Sequence, residues 1–193
     1  MAKKRSIEKW NNIFLINQKI FESISELSQL GDDNLIKDTC VAHRNAVVFD
    51  NVTSDTIFEL PYYIPENPGD INLTLKLINR KIKDKKMVKD HLIGMSNIVL
   101  YIHKNKINER WQNVDDFMTT LKALQVLLPI PKWLNNKGTF KSWQFDIQNI
   151  DNCIKWNEKL KREGITHLNC ADGTISHVDD VWNSWYDHFK KYL

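Results

Sequence analysis

The sequence contains few of the residues that mark disulfide-bonded, fibrous or membrane proteins. Three cysteines without a Cys-X-X-Cys pair argue against a disulfide framework, so we expect buried free thiols in a reducing compartment. Six glycines and five prolines are too few for a fibrous or disordered class. No apolar run approaches the roughly 18 to 20 residues that span a bilayer, and the start has no apolar stretch typical of a secretory signal. We therefore expect a cytoplasmic protein that does not bind membranes.

The sequence also lacks the short motifs of several large enzyme classes. It has no glycine-rich phosphate-binding loop, no Gly-X-Ser-X-Gly, no His-Glu-X-X-His and no EF-hand pattern. NTP hydrolysis, dinucleotide binding and serine hydrolysis are therefore poor hypotheses for this chain.

Apolar and aromatic residues, in contrast, are abundant enough for one sizeable core. Hydrophobic residues make up 42% of the chain, and seven Trp, eight Phe and five Tyr supply large apolar area. We expect a single compact domain at residues 1–193, with a helix at residues 6–30 as part of it or as an appendage. The predicted fold class is mainly α with two short β-hairpins (α+β).

Hydrophobic spacing and turn residues predict the individual elements. Three- and four-residue steps between apolar residues predict the N-terminal helix, with Ser6 as its N-cap and Gly31 just past its end. The Asp172-Gly173 pair between two β-rich runs predicts a hairpin. We further expect a hairpin at residues 46–50 and 56–60, loops at 61–70 and 129–140, and helices at 33–43, 71–83, 115–128, 148–162 and 181–193.

Positive charge is concentrated in one segment. Residues 76–110 hold ten Lys or Arg against three acids, a local charge of +7, whereas the whole chain carries +3 and the remainder therefore −4. Such asymmetry is typical of a surface that binds DNA or RNA, with a strongly salt-dependent affinity. Alternatively, the lysine run is a solvated helix face. Five lysines are candidate phosphate contacts: Lys81, Lys83, Lys85, Lys86 and Lys89.

The lysine run ends in Asp90 and His91, a pair suited to phosphodiester hydrolysis. Imidazole is a base that titrates near neutrality, and carboxylate oxygen is a ligand that suits Mg²⁺. The pair follows a strand-like stretch, MVKDHLIG. In this it resembles the HNH or ββα-metal endonucleases of phage or homing type.

This resemblance implies a small metal-dependent endonuclease. It implies His91 as the general base, Asp90 as a Mg²⁺ ligand and Asn108 as the central asparagine. Phe117 stands near the position of the third ligand, and its neighbour Asp116 is the candidate metal ligand there.

The alternative is a non-catalytic regulatory or interaction protein that binds DNA, RNA or an acidic protein. In that case Asp90 is the N-cap of a helix over residues 92–102. Three tryptophans, Trp111, Trp133 and Trp143, are candidates for stacking on the bases of single strands if they are exposed. If they are buried, they are core residues.

A cluster near the C-terminus raises the question of a structural Zn²⁺. Its spacing matches no standard zinc finger, so buried cysteines and surface histidines are the preferred interpretation. The candidate ligands are Cys153, His167, Cys170 and His177.

Overall fold

The computed structural model describes residues 6–29, 31–43, 58–59, 61–67, 73–136, 151 and 155–190. It is mainly α-helical with two three-stranded sheets, which confirms the predicted fold class. The helices are α1 (Ile7–Ser28), α2 (Asp33–His43), α3 (Leu75–Lys83), α4 (Met95–Lys104), α5 (Val114–Leu124), α6 (Lys132–Asn135), α7 (Trp156–Arg162) and α8 (Val178–Phe189), with a 3₁₀ helix at Ile107–Arg110. The strands are β1 (Phe58–Glu59), β2 (Tyr62–Tyr63), β3 (Met87–His91), β4 (Val126–Pro131), β5 (His167–Cys170) and β6 (Ile175–His177).

Strand β4 is the centre of the first sheet. It runs parallel to β1 on one side and antiparallel to β3 on the other. In this register Asp90 lies opposite Leu128 and His91 lies opposite Leu127. The second sheet is antiparallel, with strand order β2-β5-β6. The end of β3 is therefore held against the first half of β4.

The prediction of a helix at residues 115–128 was wrong for its last four residues. We expected one helix followed by a loop, but α5 ends at Leu124 and Val126–Pro131 is a strand. Five of the six residues of that strand are buried, because β4 lies between β1 and β3 and also contacts β2 and α6. A continuous apolar run such as VLLPI is compatible with either a buried helix or a buried strand, and the prolines alone did not decide between them.

The prolines of β4 are tolerated because of their register. Val126 accepts a backbone hydrogen bond from Leu92, and Lys132 donates one to Lys86, so even-numbered residues form the hydrogen-bonded pairs with β3. Pro129 and Pro131 are odd-numbered, and an N–H at those positions would point away from β3. The ladder between β3 and β4 is therefore complete without them.

Helix α1 contributes aromatic side chains to the main core. The ring of Phe14 contacts that of Phe117 on α5, with centroids 5.9 Å apart, and Phe21 contacts Trp111 edge to face at 5.6 Å. The buried indole N–H of Trp111 donates to the Thr120 hydroxyl at 3.0 Å. These contacts join α1 to α5 and to the segment before it.

Other predicted elements are confirmed, shortened or outside the described residues. Ser6 caps α1, its hydroxyl accepting from the Lys9 N–H at 3.3 Å, and the Asp172-Gly173 turn joins β5 and β6 as predicted. Of the first predicted hairpin, residues 46–50 lie outside the described residues and Phe58–Glu59 pairs in parallel with β4.

Three further segments differ from their predictions. The predicted loop at residues 129–140 holds the end of β4 and helix α6. The predicted loop at residues 61–70 contains β2, which pairs with β5. Helix α3 begins at Leu75 with Thr74 as its N-cap. In the described part of the chain, no helix combines the length and the apolar character that a membrane span requires.

Candidate functional site

Helix α3 ends in a Schellman motif made of lysines. The Lys86 N–H donates to the Lys81 carbonyl at 2.9 Å, and the Lys85 N–H donates to the Ile82 carbonyl at 3.0 Å. This motif needs a left-handed residue after the helix, and Lys85 provides it with φ of +58°. Glycine is the usual residue there, since a Cβ in this conformation costs roughly 1 to 2 kcal/mol. The backbone therefore holds Lys85 in a strained conformation.

The last residue of α3 and the turn after it are strongly basic, and we call residues 83–86 the basic turn. Lys83, Lys85 and Lys86 are all exposed, and among the described residues none of them forms an ion pair. The one acid in the turn, Asp84, lies 3.8 Å from the Arg80 guanidinium, and both are more than half exposed. Three cationic side chains thus extend from four consecutive residues.

Helix α6 lies beside the basic turn. The Lys132 N–H donates to the Lys86 carbonyl at 2.9 Å, which extends the β3–β4 ladder by one pair. Lys132 is exposed, and the next residue, Trp133, is 55% exposed. The indole N–H of Trp133 lies 3.4 Å from the Glu66 carbonyl oxygen, a long hydrogen bond. A fourth exposed lysine and an exposed indole therefore adjoin the basic turn.

Lys81 and Lys89, also predicted as phosphate contacts, have different surroundings. The Lys81 ammonium lies 3.1 Å from the Glu66 carboxylate, and both side chains are about three-quarters buried. The charge of Lys81 is therefore largely compensated. Lys89 is exposed on β3, opposite Pro129.

Asp90 and His91 form the end of β3, as the strand-like stretch before them predicts. The N-cap of α4 is Gly94, so the interpretation of Asp90 as a helix cap was wrong. Both side chains are partly buried. The antiparallel partner of β3, strand β4, follows in the chain after two α-helices and a 3₁₀ helix.

Polar groups are buried around His91. Its Nε2 atom and both polar atoms of the Gln125 side chain are shielded from solvent and have no hydrogen-bond partner within the described residues. Burial lowers the pKa of His91, while the charge of Asp90 and the nearby Gln125 amide act in the opposite direction. The Gln125 amide is thus close to the imidazole without completing a hydrogen bond to it.

Lys159 of α7 extends this buried polar region. It is only 6% exposed, and burial lowers its pKa, against the influence of the Asp90 and Glu163 carboxylates. Asp90 therefore acts on both His91 and Lys159.

Asn108 and Asp116 lie in separate local structures. Asn108 is in the 3₁₀ helix and is partly buried. Its backbone carbonyl accepts a hydrogen bond from the backbone N–H of Trp111. The Asp116 carboxylate accepts from the Gln112 N–H at 2.9 Å, at the start of α5. Gln125 is nine positions after Asp116, which is about 13.5 Å along a helix. Gln125, the residue close to His91, therefore lies at the opposite end of α5 from Asp116.

The described residues do not assemble a site that fits Mg²⁺. Among them, no group of three or more His, Cys, Asp or Glu side chains is placed to hold a metal ion. Asp90 and Asp116 have suitable oxygen ligands, but each interacts with other groups of the chain.

The C-terminal cluster considered for Zn²⁺ is partly described. The His167 and His177 rings meet edge to face across β5 and β6, with centroids 5.1 Å apart. Cys170 is a buried free thiol and so is Cys40, as predicted, whereas Cys153 lies outside the described residues. Burial raises the pKa of Cys40 to about 12.

Sequence reasoning missed two buried polar residues. Gln125 is the lone polar residue within the apolar run ALQVLLPI, which is a signal of a buried polar side chain. Lys159 follows Trp156 by three residues and precedes Leu160, so helical spacing places it near the buried face. The positions of Glu66 and Lys132 beside the basic turn depend on strand pairing and have no local signal.

Comparison with known proteins adds no relationship. No protein-family model matches the chain, and no curated protein or solved structure matches it.

Proposed function

We propose that this protein binds nucleic acid through the basic turn together with Lys89 and Lys132. One observation carries the proposal: Lys83, Lys85 and Lys86 are exposed in one short turn and, among the described residues, form no ion pairs. Like charges at close range repel, and an anion that approaches the turn relieves this repulsion. A phosphate backbone supplies repeated negative charges at short intervals.

The distribution of charge supports the same proposal. Residues 76–110 carry +7 and the rest of the chain −4. A polyanion is therefore attracted to one region and repelled by others, which orients its approach. The strained backbone of Lys85 also supports a binding role, because strain of this kind is concentrated at functional positions.

Salt dependence of binding tests the proposal. The affinity of labelled DNA and RNA should fall steeply between about 50 and 200 mM salt. The double variant K85Q/K86Q should bind more weakly and show a slope of log affinity against log salt that is smaller by roughly 1.4 to 1.8, for two lost phosphate contacts. Fluorescence anisotropy in a salt series measures both quantities.

A matched variant on α1 controls for net charge. Lys9 and Lys19 are exposed, and K9Q/K19Q removes the same charge from another element. It should leave affinity and salt slope almost unchanged. If K9Q/K19Q lowered the affinity and the salt slope as much as K85Q/K86Q, the interface would not be localised at the basic turn. Competition by polyglutamate as strong as that by nucleic acid would instead favour an acidic protein as the partner.

A metal-dependent endonuclease is the second candidate function. The observation in its favour is that Asp90 and His91 end β3, the strand that begins directly after the basic turn. It ranks second because His91 Nε2 is shielded from solvent and the described residues assemble no metal site. The metal would require ligands beyond those that these residues bring together.

Plasmid nicking tests this second candidate. Supercoiled DNA is incubated with the protein and Mg²⁺, or with EDTA, and H91A is compared with H103A as a matched histidine variant. Metal-dependent nicking that H91A lacks and H103A retains would support the endonuclease. Nicking that persists in H91A would exclude His91 as the base.

A further inference from the structure

Trp133 is an unusually exposed tryptophan. It is 55% exposed, whereas Trp10, Trp111, Trp156, Trp182 and Trp185 are each at most 6% exposed. Leaving an indole in water forgoes a large hydrophobic contribution to folding. Trp133 is also not needed to attach α6, since the next residue, Leu134, is fully buried in the core. Its exposure therefore calls for an explanation other than packing.

Trp133 lies on a short helix, α6, that adjoins the basic turn. Its N–H lies 3.4 Å from the Glu66 carbonyl, so one edge of the ring is directed at the protein. The preceding residue is the exposed Lys132, whose backbone N–H is bonded to Lys86 of the basic turn. An exposed aromatic residue thus follows an exposed lysine on a helix whose first residue is hydrogen-bonded to the basic turn.

We propose that Trp133 stacks on an unpaired base, so that this surface binds single-stranded in preference to double-stranded nucleic acid. The inference rests on the proposed nucleic-acid binding. Inside a duplex both faces of each base are covered by neighbouring bases, and an indole on a protein surface cannot reach them. In a single strand the base is free to stack, while the adjacent lysines bind the phosphates on either side.

The stacking interaction is independent of base identity. Every base has an aromatic face, so the surface should accept DNA or RNA single strands with little sequence preference. Lysines contribute the salt-dependent part of the affinity, and Trp133 contributes a part that salt hardly changes. These two parts can be separated by substitution.

The test compares W133A, W133F and the unaltered protein on three ligands of equal length. The ligands are oligo(dT), oligo(U) and a DNA duplex, and affinities are measured by anisotropy in a salt series. W133A should weaken binding to the single strands about 5- to 150-fold, with unchanged salt slope and unchanged duplex affinity. W133F should restore most of the affinity, because phenylalanine also has an aromatic face.

Fluorescence provides a second readout. Trp133 emission is obtained as the difference between the unaltered protein and W133F, and stacking on a base should quench this difference signal. Circular dichroism should be the same for all three proteins, because the substituted side chain is largely exposed. Loss of single-strand affinity without loss of structure would support the inference.

Failure of this inference differs from failure of the proposed function. If K85Q/K86Q weakens binding but W133A does not, nucleic-acid binding stands and base stacking is overturned. Tighter binding of the duplex than of either single strand would also overturn it. If the unaltered protein binds none of the three ligands, the proposed function itself is wrong, and this inference fails with it.

Discussion

The backbone N–H of Lys132 donates a hydrogen bond of 2.9 Å to the carbonyl oxygen of Lys86. This single bond continues the β3–β4 ladder beyond the last paired residues, Met87 and Pro131. It brings the start of α6, with its exposed Trp133, against the basic turn. The proposed interface is therefore formed by segments that are distant in sequence, and strand pairing determines its composition.

Replacing Lys85 by glycine should separate stability from binding. Glycine adopts the left-handed conformation of Lys85, φ +58°, without a Cβ, so K85G should raise the free energy of unfolding by about 0.5 to 1 kcal/mol. The same variant loses a cation and should weaken nucleic-acid binding and its salt dependence. Urea denaturation measures the first effect and anisotropy the second.

Lys106 also has a left-handed backbone conformation, so it provides a matched control for the stability effect expected of K85G. Its φ is +52°, and it lies outside the basic turn. K106G should be stabilised to a similar degree. A destabilised K85G beside a stabilised K106G would show that the Lys85 side chain contributes to folding, contrary to the strain argument.

Replacing Glu66 by glutamine should strengthen nucleic-acid binding. The Glu66 carboxylate lies 3.1 Å from the Lys81 ammonium and compensates its charge next to the basic turn. E66Q removes that negative charge, so the salt slope should become steeper by up to roughly 1, and affinity at low salt should rise. The backbone carbonyl that accepts from Trp133 is unchanged by this substitution.

Loss of the folded interface would lower specific binding, so a predicted increase in affinity makes E66Q a stringent variant when its circular dichroism is unchanged. Glu22, exposed on α1, provides the control for net charge. E22Q should bind like the unaltered protein. If E66Q and E22Q increase affinity equally, the effect is one of total charge and not of the interface.

Local sequence patterns were sufficient for elements whose signals are local. Ser6 as N-cap of α1 and the Asp172-Gly173 hairpin depend on residues within a few positions of each other, and both are confirmed. The β4 strand was not predicted, because VLLPIP is buried by elements from several parts of the chain. Its assignment depends on pairing with β3, which the local pattern does not contain.

The candidate site was predictable to a similar extent. The lysine run identified the basic turn because charge density is a property of composition. The compensation of Lys81 by Glu66 and the proximity of Lys132 and Trp133 follow from tertiary contacts. The sequence also did not reveal which tryptophans are exposed. In the structure Trp133 is exposed and Trp111 packs in the core, whereas Trp143 lies outside the described residues.

Replacing Asp179 by alanine should loosen the contact between α7 and α8. The Asp179 carboxylate accepts from the Asn157 amide at 2.8 Å and lies 3.0 Å from the Lys161 ammonium, and these contacts lower its pKa. Because its side chain is 38% exposed, we expect D179A to cost only about 1 kcal/mol of unfolding free energy. Thermal and urea denaturation measure this loss.

The neighbouring Asp180 separates this contact from a general helix-end effect. It also lies in the first turn of α8 but is exposed, and within the described residues it has no hydrogen bond or ion pair. D180A should therefore cost less than about 0.5 kcal/mol. Equal losses in D179A and D180A would mean that charge at the helix end, and not the contact with α7, is responsible.

Stability should fall as the pH is lowered through the range just below 6.5, in part because of His91. Burial lowers the folded-state pKa of His91 below its ordinary value of 6.5. The unfolded chain therefore takes up a proton in this range before the folded protein does. A difference of one bound proton changes stability by about 1.4 kcal/mol per pH unit. The loss should level off below the folded-state pKa, and urea denaturation at several pH values measures it.

Substitution of His91 and of His103 measures how much each residue contributes to this pH dependence. Burial also lowers the pKa of His103, assisted by Lys104 and opposed by Glu109, so both histidines contribute in the same direction. H91Q and H103Q should each flatten the curve below pH 6.5, because each removes one group that protonates more readily in the unfolded chain. If H91Q keeps the full slope of the unaltered protein, the imidazole accepts its proton while folded, and its environment is more open than its burial indicates.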